Sequence, residues 1–521
     1  MKNLKKLTSL LLALVMVFAM SLSVSAATVT VGKDDNGVLT GHTFKAYQIF
    51  AGDYADGKLT NIEWGNGIDK KTFVEKLVAL GYTKLVSEGE NASTAEDVAK
   101  AIAADANEDS IKANKIAQAA YECKKTGIDV NLNAETKLAD GYYVIVDETA
   151  SDGDVAINAA LLEIVGDGTV EINVKTDKPS IEKKVKENVK ETLGDEKYGE
   201  GYNDVADYNI GDAVPFAFYS KAPDMTNYDS YKYTIHDIMS TGLTFNKESV
   251  VVTIGSDVLA STEYEIVTEG LTDGCTFEIR IANLKGVAEN GDAIRVDFTA
   301  TLNENAAIGL PGNPNTVRLT YSNNPNDDKS EGRTPDDTVI VFTYELDVTK
   351  VDGANTEKKL DTAEFILMNE AKKKAAKVEN GKFVGWVDEK EATTLVSDAN
   401  GNFGVAGLDD GKYYLKETKA PAGYNLLKDP IEVIVKATTN NGQKWTDSDA
   451  EKALTNIDVT ADSKDGVGDV ESGEAKITVA NNSGTTLPET GGIGTTMFYV
   501  IGAILVVGAA VVMITRKRMS R

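Results

Sequence analysis

The chain has 521 residues, enough for three or four domains of ordinary size. Its 81 acidic residues against 54 basic ones give a formal net charge of −27, which argues against nucleic acid or an anionic membrane surface as a partner. Two cysteines, Cys123 and Cys275, and two histidines are too few for a disulfide framework and argue against a thiolate or histidine zinc site and a Ser-His-Asp triad. No metal and no cofactor is expected, and both cysteines are expected to be free.

The first segment reads as an export signal. "MKNLKK" is a basic n-region, "LTSLLLALVMVFAMSL" an apolar h-region, and Val24-Ser25-Ala26 a small-residue cleavage site, so residues 1–26 form a signal peptide and the mature chain starts near Ala27.

Strand signals dominate the mature chain. Short alternating segments such as "KLADGYYVIVDE" and "SDANGNFGVAGLDDGKYYLKET" are punctuated by Gly, Asn and Asp turns. One Ala-rich stretch, from Thr94 to Lys125, predicts a helix interrupted by Asn and Asp. The fold class expected is mainly β, a tandem array of Ig-like sandwiches. Breaks at "KTDKPSIEKK" and at the polar connector "SNNPNDDKSEGRTPDD" divide the mature chain into domains over 27–176, 180–340 and 341–483.

In a strand, residues i, i+2 and i+4 share a face. In the third domain "ELDVTKV" places Leu346, Val348 and Lys350 together, "YYLKE" places Tyr413, Leu415 and Glu417, and "ITVAN" places Ile477, Val479 and Asn481. A lysine, a glutamate and an asparagine thus point with apolar neighbours into one core. Burial favours the neutral amine and the neutral acid, and a neutral amine is a nucleophile. It can attack the Asn481 amide carbon while Glu417 polarises the carbonyl and shuttles protons. Ammonia leaves and a Lys–Asn isopeptide bond remains. The middle domain repeats the pattern: "SIEKKV" places Lys183 inward and Lys184 outward, "YTIHD" places Asp237 inward, and "NTVRLTYSN" places Asn315 and Asn323 on one face. Either asparagine satisfies the parity; Asn315 is preferred because it and Lys183 both sit early in their strands. The first domain offers Lys45 and Glu148 in strand-like segments but no asparagine partner, and no bond is assigned there.

The tail carries Leu487, Pro488, Glu489, Thr490 and Gly491 ("LPETG"), then an apolar run over 496–515 of about 20 residues, long enough to span a bilayer, then a basic tail over 516–521. The bulk of the chain is therefore expected outside the cell.

These segments also carry a family resemblance. "LDTAEFILMN" and "SDANGNFGVAGLDDGKYYLKETKAPAGY" closely resemble the CnaB-type domains of Gram-positive surface proteins, with the motif around Glu417 similar to the pilin E-box. "YNIGDAVPF", "YTIHDIMSTGLTF" and "NTVRLTYSNNP" resemble the fimbrial isopeptide-forming D2 domain, and "FKAYQIFAG" with "GKLTNIEWGNG" resembles the N-terminal domain of backbone pilins. The resemblance covers essentially the whole chain and implies a major pilin polymerised by a class C sortase. It implies that the bond-forming residues are Lys350, Glu417 and Asn481 in the third domain, and Lys183, Asp237 and Asn315 in the middle domain. It further implies that LPETG is a sorting signal cut between Thr490 and Gly491, with Thr490 held as a thioester. The amine that resolves the thioester is implied to be Lys175 in "VEINVKTDKP", although Asn173 and Val174 stand where a Tyr-Pro pair is usual; Lys178 is the alternative. Partners implied are the pilin sortase, a housekeeping sortase, further copies of the chain, ancillary pilins, peptidoglycan and host or extracellular ligands. The location implied is the Gram-positive cell wall. A head-to-tail link of this kind does not close and so builds an open filament. The competing expectation is a monomeric wall-anchored adhesin, since CnaB domains also serve as stalks. No nucleophile–base pair or metal spacing points to an enzyme.

Overall fold

The computed structural model of the protein describes residues 26–31, 42–106, 110–131, 135–149, 161–166, 168–172, 178–188, 198–440, 453–484 and 493–519. The signal segment before Ala26, Lys175 and the LPETG pentapeptide lie outside the described residues.

The N-terminal region is built around strand Phe44–Ala55, which is buried on both faces because apolar residues occupy both parities. One face, with Tyr47, Ile49 and Phe50, packs against Phe73, Leu77, Ile102 and Ile116 on three helices. The other, with Phe44 and Ala46, packs with Tyr143 and Ile145 against Val29 and Leu138 of a small second sheet. Phe44–Ala55 lies between Lys58–Trp64 and Gly141–Asp147 in antiparallel register. The small sheet runs Thr136–Ala139, Ala26–Val31, Thr169–Ile172.

Helix content exceeds the expectation. The stretch from Thr94 to Lys125 forms two helices, Ala95–Ala106 and Ser110–Tyr121. A further helix, Lys70–Ala79, falls outside the expected helical stretch. Its start is nonetheless written in the sequence: the Asp69 carboxylate accepts from the Thr72 backbone N–H at 3.0 Å, and Phe73, Val74 and Leu77 supply one apolar stripe. The second helix opens on a reciprocal cap, Thr94 Oγ1 accepting from Asp97 N at 3.1 Å and Asp97 Oδ2 from Thr94 N at 2.9 Å.

The middle region is a sandwich. Its six-stranded sheet runs in order Tyr202–Asn203, Ile181–Lys186, Ala213–Lys221, Ala293–Leu302, Leu243–Ile254, Asp257–Val258. The facing sheet runs Val205–Asp207, Asp337–Phe342, Asn313–Ser322, Tyr233–Met239, Phe277–Ile281, Glu265–Val267. Strict alternation in Ala293–Leu302 turns Ile294, Val296, Phe298, Ala300 and Leu302 inward.

The third region wraps a continuous run of strands about a core of Leu346, Val348, Phe365, Leu415, Val433, Ile477 and Val479. Strand Tyr344–Asp352 pairs with Asn402–Leu408 on one side and, in parallel, with Glu474–Asn481 on the other. First and last strands of this region are therefore neighbours. The junction between middle and third regions is tight. Ile210 N donates to Gly407 O at 2.9 Å, Gly309 N to Thr343 O at 3.1 Å, and Leu310 N to Val470 O at 3.1 Å. At that junction Gly309 and Gly473 face each other so closely that a Cβ on Gly309 would lie 2.3 Å from the Gly473 nitrogen.

The C-terminal helix Ile493–Met519 contains an apolar span, Met497–Met519, of which no segment is buried in the protein. An apolar surface of this length, uncovered by protein and ending on Arg516, Lys517 and Arg518 in its last turn, suits a bilayer.

Candidate functional site

In the third region, Lys350 sits near the end of Tyr344–Asp352, with no solvent exposure. The turn at Gly401 helps to hold it there. Gly401 adopts φ +78°, and its missing Cβ leaves room for the Lys350 carbonyl at 2.4 Å from where that atom would stand. The Lys350 N–H donates to Gly401 O at 2.7 Å. The parallel register sets Lys350 opposite Val479 and Asp352 opposite Asn481. Lys350 Nζ donates to the Asn481 Oδ1 and, at 3.2 Å, to the Val479 carbonyl. Asn481, also fully buried, donates through Nδ2 to Glu417 Oε2 at 3.0 Å and to the Asn425 carbonyl at 2.7 Å. Glu417 Oε2 also accepts the Leu427 backbone N–H at 2.8 Å, and its Oε1 is buried with no hydrogen-bond partner. Burial pulls the Lys350 ammonium down to about 8, against the opposing pull of the Glu417 charge. Asn481 thus touches both of the other residues that parity placed on its face, Lys350 through Oδ1 and Glu417 through Nδ2.

In the middle region, Lys183 and Asp237 are both fully buried and meet at 2.5 Å between Nζ and Oδ2. Three rings that the sequence did not single out surround the amine: Phe216, Phe218 and Phe298, with centroids 5.6, 5.2 and 5.8 Å from Nζ. Asp337 holds the backbone, accepting the Lys183 N–H at 2.5 Å. Burial pulls Lys183 down to about 8 against Asp237, and pushes Asp237 up to about 6 against Lys183. Both groups are moved towards their neutral forms.

Asn315 lies one step along the neighbouring strand: Val317 pairs with Asp237 and Asn315 with Met239, so Asn315 and Asp237 share a face. Its amide is fully buried, and neither Nδ2 nor Oδ1 has a hydrogen-bond partner. Such an orphan costs about 1–3 kcal/mol per group. Asn323, by contrast, accepts the Ser330 hydroxyl at 2.7 Å.

Lys184 departs from expectation. It does point away from Lys183, but not into water: it is buried against Asp204, with its Nζ 4.9 Å from the Tyr198 ring centroid. The segment around Tyr198–Asp204 covers what would otherwise be the outer face of the strand, and no parity argument anticipates a cover from elsewhere in the chain. In the N-terminal region, Lys45 reaches the exposed Asp129 at 3.1 Å, while Glu148 accepts from Tyr47 and Lys124, each at 2.7 Å. Lys178 is exposed beside the buried Pro179. Both cysteines are free thiols, as expected.

Together these features define a β-rich protein with lysine–acid–amide clusters in two of its cores and a C-terminal helix of bilayer length. Residues 210–325 match the family of the Gram-positive pilin backbone subunit 2, Cna-B-like domain. Residues 344–449 match the SpaA prealbumin-like fold domain, and residues 480–520 match the LPXTG cell wall anchor motif. The trypsin-resistant surface T6 protein of Streptococcus pyogenes serotype M6 is 26% identical over 403 residues, covering 66% of this chain and 70% of the relative. The fimbrial subunit type 1 of Actinomyces viscosus is 34% identical over 110 residues, 21% of this chain and 16% of that one. The solved T6 backbone pilin aligns with 90% of this chain and all of its own, at TM-score 0.53 and 18% identity, which establishes the shared fold. The chain is homologous to the backbone pilins of Gram-positive bacteria. It is a structural pilus subunit that carries a cell wall anchor, and its homologues are structural proteins rather than enzymes.

Proposed function

We propose that this subunit is chained head-to-tail by a sortase and braced internally by two Lys–Asn isopeptide bonds, Lys350–Asn481 and Lys183–Asn315, within tandem domains spanning 27–176, 180–340 and 341–483. The observation that carries the reading is the buried contact of the Lys350 amine with the Asn481 side-chain amide, with Glu417 on the far side of that amide. The neutral amine of Lys350 attacks Asn481 Cγ. A new C–N bond forms, the Cγ–Nδ2 bond breaks, and one lysine proton leaves with Nδ2 as ammonia while Glu417 relays it. In the middle domain Asp237 takes the relay role for Lys183, and the partnerless amide of Asn315 favours it over Asn323 as acceptor.

For assembly, the enzyme is a class C pilin sortase that recognises Leu487, Pro488 and Glu489, cuts between Thr490 and Gly491, and passes Thr490 to Lys175 of the next copy, with Lys178 as the alternative. A housekeeping sortase then joins the finished filament to peptidoglycan, and ancillary pilins decorate it.

Intact mass of the chain tests the internal bonds. Each should remove one ammonia, about 17 Da, by amide exchange. Two losses are expected, and one in Glu417→Ala; two losses persisting in that variant would sink the role given to Glu417.

A further inference from the structure

Strand Tyr233–Met239 carries Asp237 into the core and, by alternation, turns the preceding residue to the opposite face. There His236 pairs across the ladder with Glu278, and the turn that leads into Phe277–Ile281 brings Asp273 and Cys275 alongside. One imidazole nitrogen, one sulfur and two carboxylate oxygens lie within 4.8 Å of one another. His236 Nδ1 is 2.8 Å from Asp273 Oδ2, 3.3 Å from Glu278 Oε1 and 3.5 Å from Cys275 Sγ, and Cys275 Sγ is 2.8 Å from Asp273 Oδ2. Donors bound to tetrahedral zinc at about 2.0–2.3 Å stand about 3.3–3.8 Å apart, so small side-chain shifts would admit the ion.

The outer atoms of the set are already anchored. His236 Nε2 lies 2.9 Å from Thr320 Oγ1, a hydroxyl that can accept the Nε2–H and so leave the Nδ1 lone pair free. Glu278 Oε2 is held by Arg280 at 2.6 Å, leaving Oε1 towards His236. Asp273 Oδ1 accepts the Cys275 N–H at 3.2 Å, leaving Oδ2 where His236, Cys275 and Arg318 converge. His236 and Glu278 are buried, while Asp273 is open to solvent and gives the ion an entry side.

We propose that His236, Asp273, Cys275 and Glu278 form a binding site for zinc or a similar thiophilic divalent cation. Binding makes a metal–sulfur bond and releases the Cys275 thiol proton to solvent. Arg318, in contact with Asp273 and 3.5 Å from Cys275 Sγ, is the cation that the metal must push aside. The sequence counts that argue against zinc conceal this site because carboxylates fill half of it.

Cobalt(II) is the direct probe, since its thiolate complexes absorb by charge transfer in the near ultraviolet. The full chain purified in detergent should take up one cobalt with that band, and zinc should bleach it. Cys275→Ser should abolish the band and Cys123→Ser should retain it. His236→Ala should weaken uptake at least about tenfold. As a readout on folded protein, zinc should raise the thermal midpoint of the unsubstituted chain and leave that of His236→Ala unmoved. No band in the unsubstituted chain at millimolar cobalt, or a band that survives Cys275→Ser, overturns the site and leaves Arg318 as the cluster's resident cation.

Discussion

Lys183 and Lys184 are adjacent, and both are buried, on opposite faces of one strand. Their settings separate chemistry from architecture. Lys184 has a carboxylate, Asp204, and an aromatic ring, as a permanent ion pair would. Asp204→Ala should cost about 3–5 kcal/mol because it removes the carboxylate paired with a buried cation, whereas an apolar pair of similar volume should be nearly neutral; chemical denaturation of the two variants checks this. Lys183 has a carboxylate and a nearby unpartnered amide. Its proton count should set the rate of bond formation. Asp237 loses its proton near about 6 and Lys183 near about 8, so the pair holds one proton between those values. Bond formation in the middle domain should therefore peak between about pH 6 and 8 and fall on either side. In the third domain the neutral fraction of Lys350, the share of the amine able to attack, grows about tenfold per pH unit and levels off above about 8. Mass spectrometry of cell-free-synthesised chain folded at stepped pH would resolve both profiles. Parity alone brought Lys183, Asp237, Lys350, Glu417 and Asn481 to their faces. It was blind to Phe216, Phe218 and Phe298, which alternation reads as ordinary core, and to the cover over Lys184.

At the scale of elements, strands were legible and helices less so. The strands of the middle and third domains alternate cleanly because each has one face on a core. The N-terminal helices were blurred for a physical reason: Phe44–Ala55 is apolar on both faces, which leaves little polar contrast to announce that helices cover it. The caps at Asp69 and at Thr94 with Asp97 were present in the sequence as helix starts. The contact between Gly309 and Gly473 could not be read locally, since it joins loops from two domains. Gly473 has φ +71°, and a Cβ there would meet the Gly309 nitrogen at 2.4 Å. Gly473→Ala should cost about 1–3 kcal/mol in backbone strain and loosen the junction. A lowered unfolding midpoint together with faster proteolysis between the middle and third domains is the expected result.

For the molecule as a whole, the order of the long segments was the most legible feature: β-rich stretches, then an apolar span and a basic end within a region that matches the cell wall anchor motif. The β-rich stretches and the apolar span are written in composition over many residues. The proposed acceptor lysine rests on one residue only, and it is correspondingly harder to read. Denaturing gels of wall extracts should show a high-mass ladder, and Lys175→Ala should collapse it to a single band; a ladder lost in Lys178→Ala and kept in Lys175→Ala would move the acceptor to the connector. A single band from unsubstituted chain would favour the monomeric adhesin.

The parallel pairing of Tyr344–Asp352 with Glu474–Asn481 decides how such a fibre responds to a tug. The chain enters this domain at the start of one strand and leaves at the end of its neighbour, so traction from the two ends slides the strands along each other. Until a Lys350–Asn481 bond ties the two strands, every rung of that ladder resists at the same moment, as in a lap joint, where an antiparallel hairpin pulled from its open end would unzip rung by rung.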